Sequence, residues 1–138
     1  MSVKKINHIG IIVPSIEEAL KPYVEALGLE AGEVQLLEQH KLRVVFLPVG
    51  DTQIELIEPL DAESDQAAFL RRTGGGFEHI CFETSELEGE LARLKGLGFR
   101  LIHEVPITGA NNARIAFVHA DGFHNVTVEL CQLADCPA

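Results

Sequence analysis

Two histidines and two glutamates are the residues of this chain whose types and spacing could do chemistry together. His8 lies in the run Ile6-Asn7-His8-Ile9-Gly10-Ile11-Ile12-Val13, and His79 in Phe77-Glu78-His79-Ile80-Cys81-Phe82-Glu83-Thr84, 71 residues later. Arg114 follows Arg43 by the same 71, which aligns Arg43-Val44-Val45-Phe46-Leu47 with Arg114-Ile115-Ala116-Phe117-Val118. Gln53-Ile54-Glu55-Leu56-Ile57 then matches Thr127-Val128-Glu129-Leu130-Cys131 at a separation of 74, the extra residues falling in a turn. Turns tolerate insertions. A repeat that keeps both order and register implies two copies of one structural unit.

Glu55 and Glu129 each occupy the middle of the last strand of a copy, among aliphatic neighbours. One such carboxylate reads as a solvent-facing residue. Two, in register with two histidines, read as facing a concave surface with a shared partner. His8, Glu55, His79 and Glu129 then form a two-His, two-Glu set. Imidazole with carboxylate suits Zn, Ni, Co, Mn or Fe and leaves coordination positions open for water or substrate.

These side chains need strands to carry them. Residues 5–13 read as a strand ended by Pro14-Ser15, and Ser15 with Glu18 forms a capping box. The helix that follows should present Ile16, Ala19, Leu20, Tyr23, Val24 and Leu27 on one face, with a kink or break at Pro22 and a stop at Gly28. Strands are expected over 33–37, 42–49 and 52–58, the last two joined by the turn Gly50-Asp51. Residues 61–76 read as a linker with a short helix capped by Ser64, and Gly74-Gly75-Gly76 as its most flexible point. The order then restarts. A strand over 77–84 leads to a helix begun at Ser85 with Leu87, Leu91 and Leu94 on one face. Strands follow over 100–104, 114–119 and 126–131, with a loop over 106–112 and a turn over 120–125. The expectation is one α+β domain over 1–138: module 1 (5–60), linker (61–76) and module 2 (77–133). Each module is β-α-β-β-β, and together they should form an open, mostly antiparallel curved sheet around the metal site.

Composition narrows the function. Twenty-one acids against 11 Lys and Arg leave a formal charge of −10, which disfavours nucleic acid, whose phosphates are bound by neutralising cations. No apolar run approaches a membrane span, and the N-terminus carries no apolar signal-peptide core. Cys81, Cys131 and Cys136 are too few for a disulfide framework, so a cytoplasmic protein is expected, with Cys81 and Cys131 as small core residues. His40, His103, His119 and His124 have no partner in the repeat and are expected at the surface or in local hydrogen bonds. His40 and His124 sit in turns from which substrate could be reached. No CxxC pair, nucleophile elbow or phosphate-binding glycine motif is present.

The paired modules with one His and one Glu each resemble the vicinal oxygen chelate (glyoxalase/bleomycin resistance/dioxygenase) superfamily. Within it, Ile6-Asn7-His8-Ile9-Gly10-Ile11, the block Val45 to Leu60, Gly74 to Glu83 and Val128-Glu129-Leu130-Cys131 are similar to the methylmalonyl-CoA epimerase family. The match runs over nearly the whole chain. His-Ile-Gly is shared across the superfamily, whereas Phe46-Leu47-Pro48-Val49-Gly50-Asp51-Thr52 through Glu58-Pro59-Leu60 is more specific to the epimerases.

The resemblance implies a glyoxalase-like fold, a divalent metal (Co, Ni, Zn or Mn) on His8, Glu55, His79 and Glu129, and an acyl-CoA thioester as substrate. A homodimer is expected; the superfamily builds its sites either within one chain or across a dimer, and a site within one chain is expected here. One carboxylate would remove the C2 proton of methylmalonyl-CoA and an acid on the other face would return one. Glu129 matches a ligand that also stands as a base. Some epimerases carry a further Glu near the strand that holds Arg43. That strand has no acid here, and Glu38 is the nearest candidate, although Lys41-Leu42 replaces the usual Gly of that turn. The loop Gly109 to Arg114 and the turn Asp121 to Asn125 also depart from the family's Gly- and Lys-rich versions. A glyoxalase I, or lactoylglutathione lyase, fits the same four ligands and uses the same kind of proton shuttle. A non-catalytic binding or resistance module of the superfamily commonly lacks them.

Overall fold

Serine caps, a mid-helix proline and alternating aliphatic strands produce the elements seen in a computed structural model, which describes residues 3–134. The strands are β1 (Val3–Ile12), β2 (Gln35–Leu37), β3 (Leu42–Val49), β4 (Thr52–Pro59), β5 (Gly76–Thr84), β6 (Ile107–Thr108), β7 (Arg114–Val118) and β8 (Thr127–Gln132). The helices are α1 (Ile16–Lys21), α2 (Asp65–Thr73) and α3 (Leu87–Gly96). Cys136 lies outside the described residues. Among those described, no helix is long and apolar enough to cross a membrane.

The chain separates into two compact units, one of His8–Glu78 and one of residues from His79 onward together with those up to Asn7. In the first the strand order is β2-β3-β4-β1, with β1 parallel to β4 and the other pairs antiparallel. In the second it is β5-β8-β7-β6, with β5 parallel to β8 and the other pairs antiparallel. The expected β-α-β-β-β order therefore occurs twice, with α2 between the copies. Val13, Ile16, Val45, Leu47 and Leu56 form the core of the first unit. Leu87, Leu91, Ala116, Val118, Val128 and Leu130 form that of the second.

The same device ties helix to sheet in both units. The first N–H groups of a helix have no partner inside it. The Ile16 N–H donates to Glu58 Oε1 at 3.0 Å, and the Leu87 N–H donates to Gln132 Oε1 at 3.0 Å. Glu58 and Gln132 are 74 residues apart, as Glu55 and Glu129 are. Arg43 on β3 also reaches Glu58 at 3.0 Å and Glu17 of α1 at 2.6 Å. Its counterpart Arg114 on β7 pairs with Glu88 of α3, 71 residues after Glu17. The hydrogen bond from Arg43 holds the Glu17 carboxyl below its ordinary pKa, and that from Arg114 does the same for Glu88.

Four expectations need correction. The first helix breaks at Pro22 as expected, but the chain continues as a π-helical turn over Pro22–Ala26, with the Leu27 N–H reaching Pro22 O at 3.1 Å. The wider turn rotates the apolar stripe away from the sheet, so Val24 and Leu27 are exposed rather than packed. The third helix begins at Leu87, because Gln132 rather than Ser85 satisfies its leading N–H. Residues 100–104 make only an isolated bridge, Leu101 to Val118, while a two-residue strand, β6, forms inside the expected 106–112 loop. Gly74-Gly75-Gly76 is a tight turn and not a slack tether. Gly74 caps α2 at φ +81°, and a Cβ on Gly75 would lie 2.7 Å from Ile12 O.

The helix tie predicts how Glu58 tolerates change. Glu58→Ala strands the amide of the fully buried Ile16 and should cost about 2 kcal/mol in urea unfolding. Glu58→Gln supplies the group that Gln132 uses in the second unit, and should cost less than about 1 kcal/mol.

Candidate functional site

The parallel pairing of β1 with β4 sets the first candidate pair. His8 stands beside Gln53 and Gly10 beside Glu55, so His8 and Glu55 are diagonal neighbours on one face. Side chains two residues apart along a strand share a face, and diagonal neighbours are within reach of long ones. His8 Nε2 lies 3.2 Å from Glu55 Oε1. The second unit repeats the register, with His79 beside Thr127, Cys81 beside Glu129, and His79 Nε2 3.0 Å from Glu129 Oε1. The residue directly beside each glutamate is small, Gly10 or Cys81, which leaves that face to the carboxylate.

An aromatic ring completes each pair. Phe46 on β3 lies opposite Glu55 and meets His8 edge to face, with centroids 5.5 Å apart and planes at 80°. Phe117 on β7 lies opposite Glu129 and meets His79 at 5.4 Å and 88°. Phe117 follows Phe46 by 71 residues, so the repeat itself carried the signal for both rings. The exposed fractions are 6% for His8, 7% for Glu55, 3% for His79 and 5% for Glu129. Among the described residues, Thr84 is the one other buried polar side chain.

Burying a carboxylate is costly unless it is paired or coordinates a metal. Here the cost is met twice by the same nitrogen–oxygen pairing. The donor atoms are imidazole Nε2 and carboxylate oxygens, which suit a borderline divalent ion. His8, His79 and Glu129 are buried and of types that could hold a metal ion.

The remaining candidates fall elsewhere. Glu38 lies in the exposed turn between β2 and β3, away from the His8–Glu55 pair in register. His119 accepts a hydrogen bond from the Asp121 N–H at 3.2 Å and caps a short 3₁₀ turn. His124 is exposed at φ +53°, and His40 lies in the turn with Glu38. Cys81 and Cys131 are buried free thiols packed with Ala113 and Ile115, as their small size suggests.

Comparison with known proteins places this geometry in a family. Residues 7–117 match the Glyoxalase/Bleomycin resistance protein/Dioxygenase superfamily. The chain is 35% identical over 133 residues to the ethylmalonyl-CoA/methylmalonyl-CoA epimerase of Cereibacter sphaeroides, covering 95% of this chain and 99% of that one. It is 35% identical over 129 residues to the mitochondrial methylmalonyl-CoA epimerase of Bos taurus, covering 93% and 74%. It is also similar to a Streptomyces coelicolor methylmalonyl-CoA epimerase variant solved in complex with 2-nitronate-propionyl-CoA. That match has a TM-score of 0.92, 26% identity and 99% coverage of both chains.

The turn that carries Glu38 ends in a left-handed residue. Lys41 sits at φ +54°, a left-handed conformation that costs an L-residue about 1–2 kcal/mol. Its ammonium lies 3.9 Å from Asp61 in an exposed pair worth little. Lys41→Gly removes the strain, and the greater freedom of glycine when unfolded offsets about half of the gain. Thermal unfolding should show a stabilisation of about 0.5 kcal/mol.

Proposed function

The chain belongs to the glyoxalase/bleomycin resistance/dioxygenase superfamily, and from that premise we propose that it is an epimerase inverting C2 of methylmalonyl-CoA or a similar 2-branched acyl-CoA. The observation that carries the reading is the buried His79–Glu129 pair, repeated in register as His8–Glu55. The similarity to epimerases of this substrate class over at least nine-tenths of the chain supports the choice among the superfamily's activities.

On this reading His8, Glu55, His79 and Glu129 hold one divalent ion, with Co, Ni, Zn and Mn all compatible with the donors. Such an ion supplies positive charge where the negative charge of an enolate collects. The protein groups do the proton transfer. Glu129 takes the C2 proton, and its near-complete burial keeps water from competing for it. A second acid returns a proton to the opposite face, and Glu38, in the turn before β3, is the candidate for it, although its exposed turn lies away from the His8–Glu55 pair in register. Nothing is oxidised or reduced, and the product differs from the substrate only in configuration at C2. The Phe46 and Phe117 edges brace the two imidazoles, which keeps their Nε2 atoms directed at the carboxylates. A homodimeric assembly and a cytoplasmic location belong to the same reading.

The carbon–hydrogen bond is the place to test it. In D2O the wild-type protein, loaded with Co2+, should wash deuterium into C2 of methylmalonyl-CoA, and Glu129→Gln should lower that exchange at least a hundredfold. Turnover of the methylglyoxal–glutathione hemithioacetal without any C2 exchange would replace the epimerase with the lyase. Metal binding with neither activity would point to a binding module.

Glu38 carries a separate expectation. Glu38→Gln should slow inversion while leaving exchange from the Glu129 side largely intact, which parallel chiral analysis and NMR will separate. Equal loss of both would remove Glu38 from the role of second acid.

A further inference from the structure

We propose that His103 is a positioning residue, fixing the His79 imidazole by anchoring the phenylalanine that braces it. The consequence for metal binding rests on the reading of His79 as a ligand, whereas the positioning itself does not.

Phe117 is held from its outer side by one short segment. Its carbonyl accepts the Ile102 N–H at 2.8 Å and the His103 N–H at 3.2 Å, and its own N–H donates to His103 Nδ1 at 3.0 Å. The His103 ring also lies against the Phe117 ring, with centroids 5.8 Å apart and planes at 53°. Phe117 in turn stands edge-on to His79 at 5.4 Å. The contacts form one chain: His103 to Phe117, Phe117 to His79, His79 to Glu129.

His103 occupies an acceptor position along the outer edge of β7. A strand pairing along this edge of β7 would offer a backbone carbonyl to the Phe117 N–H. The imidazole nitrogen takes that place, next to the Leu101–Val118 bridge. The first unit shows the same position without the side chain. Gly32 stands 71 residues before His103, and its N–H donates to the carbonyl of Phe46 at 2.8 Å. A Cβ there would lie 3.1 Å from that oxygen. The two histidine–carboxylate pairs are thus braced by matching rings, but only the second ring has an imidazole anchoring its amide.

A side-chain acceptor is replaceable by another of the same reach, which makes the role testable. Asparagine places its Oδ1 where His103 places Nδ1, whereas leucine fills the space without an acceptor. Glycine copies the first unit. Long-range proton–nitrogen NMR of the imidazoles in metal-free protein reads His79 directly. His103→Leu and His103→Gly should shift and broaden the His79 signals, and His103→Asn should restore them. Arg100→Ala, which breaks the exposed Arg100–Asp121 pair of the same segment, should leave them unchanged.

Unmoved His79 signals in the leucine and glycine variants would overturn the proposal. So would a failure of asparagine to restore them, or an equal response to Arg100→Ala. Titration with Co2+ then measures the consequence, an expected loss of roughly tenfold in affinity for His103→Leu that His103→Asn recovers. A wild-type protein that does not bind Co2+ would defeat the metal reading alone, since the imidazole signals judge the positioning without it.

Discussion

A carboxylate placed out of water beside an imidazole is the constraint around which each half of this chain is arranged. Desolvation of that carboxylate is expensive, and the pairing must be geometrically good to offset it. In both units the register of two parallel strands supplies that geometry, setting histidine and glutamate as diagonal neighbours. Small residues beside each glutamate and a phenylalanine edge against each histidine follow from the same demand. A one-residue slip in either pairing would turn the carboxylate to the other face.

What prevents that slip lies at the far end of the same strands. Glu58 and Gln132 sit three residues beyond Glu55 and Glu129 and accept the first amides of α1 and α3. The strand that carries the buried carboxylate is therefore tied to the helix that packs on it. Arg43 and Arg114 extend the tie to the neighbouring strand. The buried carboxylate and the helix tie share one strand in each copy, the former on its buried face and the latter at its end.

The two halves are not equivalent. Module 1 uses a carboxylate at the helix tie and module 2 an amide. Gly32 in one half is His103 in the other, so only the second half places a side-chain acceptor on its phenylalanine amide. A duplicated frame gives each half a histidine–carboxylate pair in the same register. Departures of this kind hold one half differently from the other.

Most of the frame was legible in the order of residues. The spacings of 71 and 74 located the repeat, the four buried polar groups and the register of the last strands, because period-two alternation and a duplicated order survive without coordinates. The serine caps and the break at Pro22 were legible for the same local reason. Features that depend on partners distant in sequence were not. Nothing near Ser85 or Leu87 announces that Gln132 caps α3, and nothing in Arg100 to Glu104 announces that an imidazole will stand in for a strand's carbonyl. Gly75 looks like part of a slack tether until the fold brings it against Ile12. The residues by themselves determined which groups are paired with which strands. What braces them is set by the folded chain, because a hydrogen bond or ring contact between remote segments exists only once folding has brought them together.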